Sequence, residues 1–155
     1  MQIVSNLFPS HDQEGKVSQG WIAWFVIAKK LNLPLFYFGN EGKQVRDYLH
    51  IDDLARLIDN QIKNIEEYTG NYYNVGGGIK NTVSIRELSA LIDNLIGEEK
   101  DVTSLPDPRP SDQKIYISDI RKVSNHFNWQ PQISLENGLI EILEWLEKTN
   151  LDWVV

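Results

Sequence analysis

Arg46 and Arg109 are the residues of this chain whose surroundings point most directly to chemistry. Arg46 sits in the β-type run Val45-Arg46-Asp47-Tyr48-Leu49-His50-Ile51, and a helix start follows at Asp52-Asp53. Arg109 comes 63 positions later, in Pro108-Arg109-Pro110-Ser111-Asp112. A guanidinium presents a planar fork of N–H donors that matches a phosphate group. In an extended strand Arg46, Tyr48 and His50 point one way, and Val45, Asp47 and Leu49 the other. Arg46 and Tyr48 therefore share an aim. The prolines flanking Arg109 restrict its loop and lower the cost of ordering it. Asp112 is placed to accept from a sugar hydroxyl. Two arginines in this setting suggest a clamp on a diphosphate. Each alone also has a plainer reading, Arg46 as a surface partner of Asp47 or Asp52 and Arg109 as part of a solvated loop.

Other chemistry is thin. Gly76-Gly77-Gly78 follows a strand and precedes a helix, but position 81 is Asn and the G-x-G-x-x-G spacing is not met. The triplet reads as a tight strand exit. His11, His50 and His126 are far apart, and no pair has metal-ligand spacing on a helix. Asp52-Asp53 reads as a helix cap. No Ser-His-Asp set and no G-x-S-x-G elbow occur. The residues offer binding groups and no catalytic group.

The elements that must hold these groups alternate between helix and strand. Residues 1–17 are irregular, with Ile3-Val4 compatible with a strand end and Pro9, Ser10, Asp12 and Gly15 as loop formers. Ser18 is positioned to cap a helix to about Leu31, with Trp21, Trp24, Phe25, Ala28 and Leu31 on one face. Strands are expected at 35–38, 45–51, 72–75 and 101–105. Asp52 would cap a helix whose apolar positions are Leu54, Leu57, Ile58, Ile62 and Ile65. Ser84-Ile85-Arg86-Glu87 is a capping box opening a helix that Gly97 ends. Pro106, Pro108 and Pro110 forbid regular structure directly after the 101–105 strand. Two further helices are expected at 118–127 and from Ser134 to about Lys148. The class is α/β, with too few strands for a self-sufficient doubly wound sheet.

Composition narrows the partners. The 155 residues are 41% hydrophobic with five Trp and five Phe, enough for a core in about one domain. A net charge of −7 argues against nucleic acid and anionic membranes. With no cysteine there are no disulfides and no thiolate chemistry. No signal peptide and no membrane span are expected, so the expected location is cytoplasmic.

Val45-Arg46-Asp47-Tyr48-Leu49-His50-Ile51-Asp52-Asp53, Tyr73-Asn74-Val75-Gly76-Gly77, Arg109-Pro110-Ser111-Asp112 and Trp129-Gln130-Pro131 with Ser134-Leu135-Glu136-Asn137-Gly138-Leu139 occur in that order. In these anchors the chain resembles the C-terminal portion of the extended short-chain dehydrogenase/reductase family, the NAD-dependent nucleotide-sugar epimerases and dehydratases. Gln19-Gly20-Trp21-Ile22-Ala23-Trp24-Phe25, Gly42-Lys43-Gln44 and Ser111-Asp112-Gln113 are most similar to its CDP-paratose 2-epimerase branch. The resemblance implies roles. Arg46 and Arg109 would hold the substrate diphosphate, Asp112 the nucleotide ribose, and Gln19 and Gln44 would lie near the nucleotide sugar. It also implies a late Rossmann strand at 73–75 and a small substrate-binding domain containing 35–38 and 101–105. Residues 1–155 would then be a single C-terminal substrate-binding portion, with the N-terminal NAD-binding half absent. The glycine-rich NAD loop and the family's Tyr-x-x-x-Lys pair are not found in this sequence, and Tyr68, Tyr72 and Tyr73 have no lysine four residues on. The expectation is a chain that binds no NAD and is inactive alone. It would work with a separate N-terminal Rossmann half, or hold a nucleotide sugar without turnover, or be a remnant without function. Uncovered apolar faces predict a homo-oligomer.

Overall fold

The computed structural model describes residues 2–4, 7–8, 20–68, 70–109 and 112–149. Strands β1 (Gln2–Val4), β2 (Leu7–Phe8), β3 (Phe36–Phe38), β4 (Val45–Asp47), β5 (Leu49–His50), β6 (Tyr73–Val75), β7 (Thr82–Ser84), β8 (Thr103–Leu105) and β9 (Ile115–Tyr116) form short ladders. β1 pairs with β6, β2 with β5 and β3 with β8, all in parallel. β4 is flanked by antiparallel β7 and parallel β9. The α/β class with mostly parallel pairing is as expected. β2, in the stretch 1–17 expected to be irregular, β7 and β9 were not, because two or three residues are too few to display an alternation.

Helix α1 (Trp21–Lys30) is wedged between α4 (Ile85–Ile96) and α6 (Leu135–Lys148). Its expected inward face needs correction. Of the expected positions Phe25 and Ala28 are buried, together with Ile22, Val26 and Ile27, whereas Trp21, Trp24 and Leu31 are only partly covered. A helix packed on two sides buries more than one stripe. Even Lys29 is buried, its ammonium 2.6 Å from the Asp93 carboxylate and 3.3 Å from the Lys100 carbonyl. A buried charge needs such partners. Ser18, expected to cap α1, lies outside the described residues, and Gly20 stands at the cap position with φ +66°.

Helix α2 (Ile51–Lys63) is capped by His50 rather than Asp52. The imidazole Nδ1 accepts from Asp52 N at 3.3 Å. Asp53 is fully buried and accepts from Gln132 N and Ile133 N at 2.9 and 3.0 Å. It fastens the loop before α6 to α2. Of the five expected inward positions, only Leu54 and Leu57 are buried; Ile58, Ile62 and, on α3 (Ile65–Tyr68), Ile65 are exposed. The Ser84–Glu87 capping box and the Gly97 stop on α4 are as expected. α5 spans Arg121–Phe127, shorter than the expected 118–127, and Ser134 caps α6.

Two apolar clusters result. The first joins α1, α4 and α6 around Phe25, Val26, Leu88, Ile92, Leu139 and Ile142. The second joins β5, β6, α2 and α5 through Leu49, Leu57, Tyr73, Val75, Val123, Phe127 and Trp129. The β4–β5 segment threads between them, placing Tyr48 in the first and Leu49 in the second.

Candidate binding site

A cavity of about 250 Å³ opens at the edge of the first cluster. Its apolar wall is Trp21, Trp24 and Phe25 of α1, then Pro34, Leu35, Phe36, Phe38 and Ile85. Its polar groups are Gln44, Arg46, Arg109 and Asp112. Four of the five residues singled out in the sequence therefore border one cavity; Gln19 lies outside the described residues.

The elements explain the convergence. β4 projects Arg46. The β3–β8 pair sets Phe36 and Phe38 beside the strand from which the Pro106–Arg109 loop departs. Gly39, at φ +65°, lets that loop close down, since a Cβ there would lie 2.8 Å from the Pro108 backbone. Arg109 Cζ then sits 4.3 Å from the Phe38 ring centroid, a cation–π contact.

Hydrogen bonds tie the polar groups together. Arg46 Nη2 donates to Asp112 Oδ1 at 2.7 Å and to the Gln113 carbonyl, and Nη1 donates to the Val45 carbonyl at 2.7 Å. Gln44 Nε2 faces Phe38 O at 2.7 Å, Gly39 O at 3.3 Å and Asp112 Oδ2 at 3.1 Å. Neither plain reading of Arg46 describes this, for its carboxylate partner is Asp112. Asp47 instead receives Gly78 N at 3.1 Å and Ser118 N at 3.2 Å. Tyr48 does not share the aim of Arg46. The strand breaks at this residue, and the ring is buried with its hydroxyl accepting from Leu135 N at 3.1 Å. Burial raises its pKa above the ordinary 10.0.

The aromatic wall was missed as a wall. Trp21 and Trp24 read as part of one apolar helix face, and 35–38 as a short strand. The available signal was the density of large rings on two neighbouring elements, more than one core layer requires.

Gly76-Gly77-Gly78 is a packed strand exit. A Cβ on Gly77 would meet Tyr48 O at 1.9 Å, one on Gly76 would meet the Ser118 and Asp47 side chains, and the Gly78 amide already serves Asp47. These glycines offer no cradle for a dinucleotide pyrophosphate. His50 caps α2 and lies 3.2 Å from Glu141 Oε2, and His126 bonds the Tyr73 hydroxyl at 2.9 Å. Among the described residues no cluster of metal-ligating side chains occurs, and no helix is long and apolar enough to cross a membrane.

A family model described as GDP-mannose 4,6 dehydratase matches residues 2–142. CDP-paratose 2-epimerase of Salmonella typhi is 36% identical over 132 residues, which is 82% of this chain and 38% of that protein. The dTDP-glucose 4,6-dehydratase of Bacillus anthracis str. Ames, solved with NAD, superposes with a TM-score of 0.73 at 26% identity, covering 98% of this chain and 45% of that one. The UDP-glucuronic acid 4-epimerase of Bacillus cereus, solved with UDP-glucuronic acid and NAD, shares the fold with a TM-score of 0.79 at 22% identity, over 95% of this chain and 44% of that one. The chain thus spans 38% and 35% of the length of two curated relatives.

Proposed function

The chain belongs to the GDP-mannose 4,6 dehydratase family of NAD-dependent nucleotide-sugar epimerases and dehydratases, and from that premise we propose that its cavity holds the nucleoside diphosphate part of a nucleotide sugar. The observation that carries this reading is the meeting of Arg46, Arg109 and Asp112 at one cavity walled by aromatic rings. Guanidinium groups suit a diphosphate, rings suit a base by stacking, and a carboxylate accepts from ribose hydroxyls. The 36% identity to a CDP-paratose 2-epimerase favours a CDP-sugar.

By the same proposal this stretch binds and does not turn over alone. NAD, when bound elsewhere in such an enzyme, supplies hydride transfer. The residues here contribute binding, orientation and exclusion of water. The glycine-rich loop and the Tyr-x-x-x-Lys base belong to a Rossmann half that residues 1–155 do not themselves supply, and the exposed isoleucines of α2 and α3 are a surface for that half or for a second copy.

Calorimetry on the purified chain tests the reading. CDP is expected to bind, and Arg46→Ala or Arg109→Ala to weaken it by roughly 10–100-fold, the loss of one charge-assisted contact of about 1.5–3 kcal/mol. Equal CDP affinity in the wild type and both variants would remove the shared site. NAD is expected to bind weakly or not at all, and tight NAD binding would overturn the view that its site lies elsewhere.

A further inference from the structure

The cavity carries its own anion. Asp112 Oδ1 receives Arg46, and Oδ2 receives Gln44. The Arg46 and Asp112 side chains are only 14% and 21% exposed, so water screens the pair less than it would on the surface. We infer that Asp112 is a selectivity residue, an internal counter-ion that disfavours bare phosphate anions and admits a diphosphate only when hydroxyl groups accompany it. The inference rests on the nucleoside diphosphate reading of the site and adds how that site would reject smaller anions.

Asp112 is held in place, not merely nearby. Gln44 is 2% exposed. Its side-chain nitrogen faces three acceptors, Phe38 O, Gly39 O and Asp112 Oδ2. Only the NH₂ end of an amide can do this, so the orientation of Gln44 is fixed by its surroundings. Arg46 is pinned from the other side by the Val45 and Gln113 carbonyls. The carboxylate therefore stays beside the guanidinium that an incoming phosphate would need.

An anion entering this site meets two arginines and one carboxylate. Inorganic pyrophosphate must either displace Asp112 from Arg46 or lie against a like charge, and it lacks the vicinal hydroxyl pair with which to satisfy both carboxylate oxygens afterwards. A carboxylate only accepts hydrogen bonds, so a ligand bearing vicinal hydroxyls can replace the lost guanidinium contact. Selectivity built from a repulsive element costs some affinity and excludes the wrong ligand more strongly.

The test uses the purified chain, CDP and inorganic pyrophosphate as probes, and Asp112→Asn and Asp112→Ala variants whose folding is checked by thermal unfolding. Asp112→Asn keeps the shape and removes the charge. In both variants pyrophosphate binding is expected to tighten at least about tenfold, or roughly 1.4 kcal/mol, while CDP binding stays level or weakens. The ratio of CDP to pyrophosphate affinity falls accordingly. Unchanged or weaker pyrophosphate binding in both variants, with CDP still bound by the wild type, would overturn the counter-ion role and leave the nucleotide reading intact. No CDP binding by the wild type, with a gain of pyrophosphate binding in the variants, would reject the nucleotide reading and support the counter-ion. Absence of binding by every protein to either probe would overturn both.

Discussion

The two apolar clusters of this chain are built from similar residues and end differently. In the α1–α4–α6 cluster every helix finds a neighbour for its apolar side, and Val26, Ala28, Leu88, Ile92 and Leu139 are fully buried. The partly covered Trp21 and Trp24, with the buried Phe25, line a cavity there. In the β5–β6–α2–α5 cluster the covering stops short. Leu54 and Leu57 are buried, but Ile62 and Ile65 on the same helical run are 64% and 63% exposed, and Tyr72 and Ile79 are exposed too. Amphipathic spacing says that a face is apolar. The neighbours supplied by the fold decide whether it becomes core, cavity wall or docking surface.

The largest effect that sharpens this contrast is expected in the closed cluster. Leu139→Ala should destabilise by about 2–5 kcal/mol, the usual range for truncating a fully buried leucine, and urea unfolding measures it. A loss below about 1 kcal/mol would mean that the cluster relaxes as freely as a surface. Next comes the cavity on its edge. Arg46→Ala removes the partner of Asp112 and one phosphate-binding fork, with CDP affinity expected to fall about 10–100-fold and stability to change little.

A smaller effect probes the start of α4. Ser84→Ala should cost about 1 kcal/mol, since the Ser84 hydroxyl accepts from Glu87 N at 3.1 Å. The Glu87 carboxylate is held below its ordinary 4.5 by hydrogen bonds from the Ser84 hydroxyl and then the Ser84 amide. Its folded-state value is depressed, so its contribution is present above 4.5 and fades as pH falls through the lower folded value. The Ser84→Ala difference should therefore narrow in acid, which unfolding at neutral and acidic pH would reveal. The smallest stability change belongs to the open cluster. Ile62→Ser should stay within about 0.5 kcal/mol of wild type yet shift sedimentation toward smaller species. An unchanged sedimentation profile would dissociate the exposed α2 face from self-association.

The helices were legible where a local rule sufficed. The Ser84–Glu87 box, the Ser134 cap and the Gly97 stop each depend on a few adjacent residues, and each stands in the structure. The cap of α2 was assigned to Asp52 because carboxylates favour that position. His50 occupies it, and Asp53 is drawn inward by the amides of Gln132 and Ile133, some eighty residues on. Strands β7 and β9 were invisible for a related reason, since each exists only through its pairing with β4.

The same division holds for the site. Residue type and order marked Arg46, Arg109 and Asp112, because a guanidinium and a carboxylate carry their chemistry wherever they lie, whereas Gln44 was marked only by the family resemblance. That Asp112 faces Arg46 rather than open solvent, that Tyr48 turns from the cavity into the core, and that Trp21, Trp24, Phe36 and Phe38 form a wall were decided only by tertiary structure. Those outcomes depend on the β3–β8 pairing, the close approach of Gly39 to Pro108 and the packing of α1 between α4 and α6. Such contacts join residues far apart in the chain, and no local pattern encodes which of two chemically acceptable neighbours a side chain will meet.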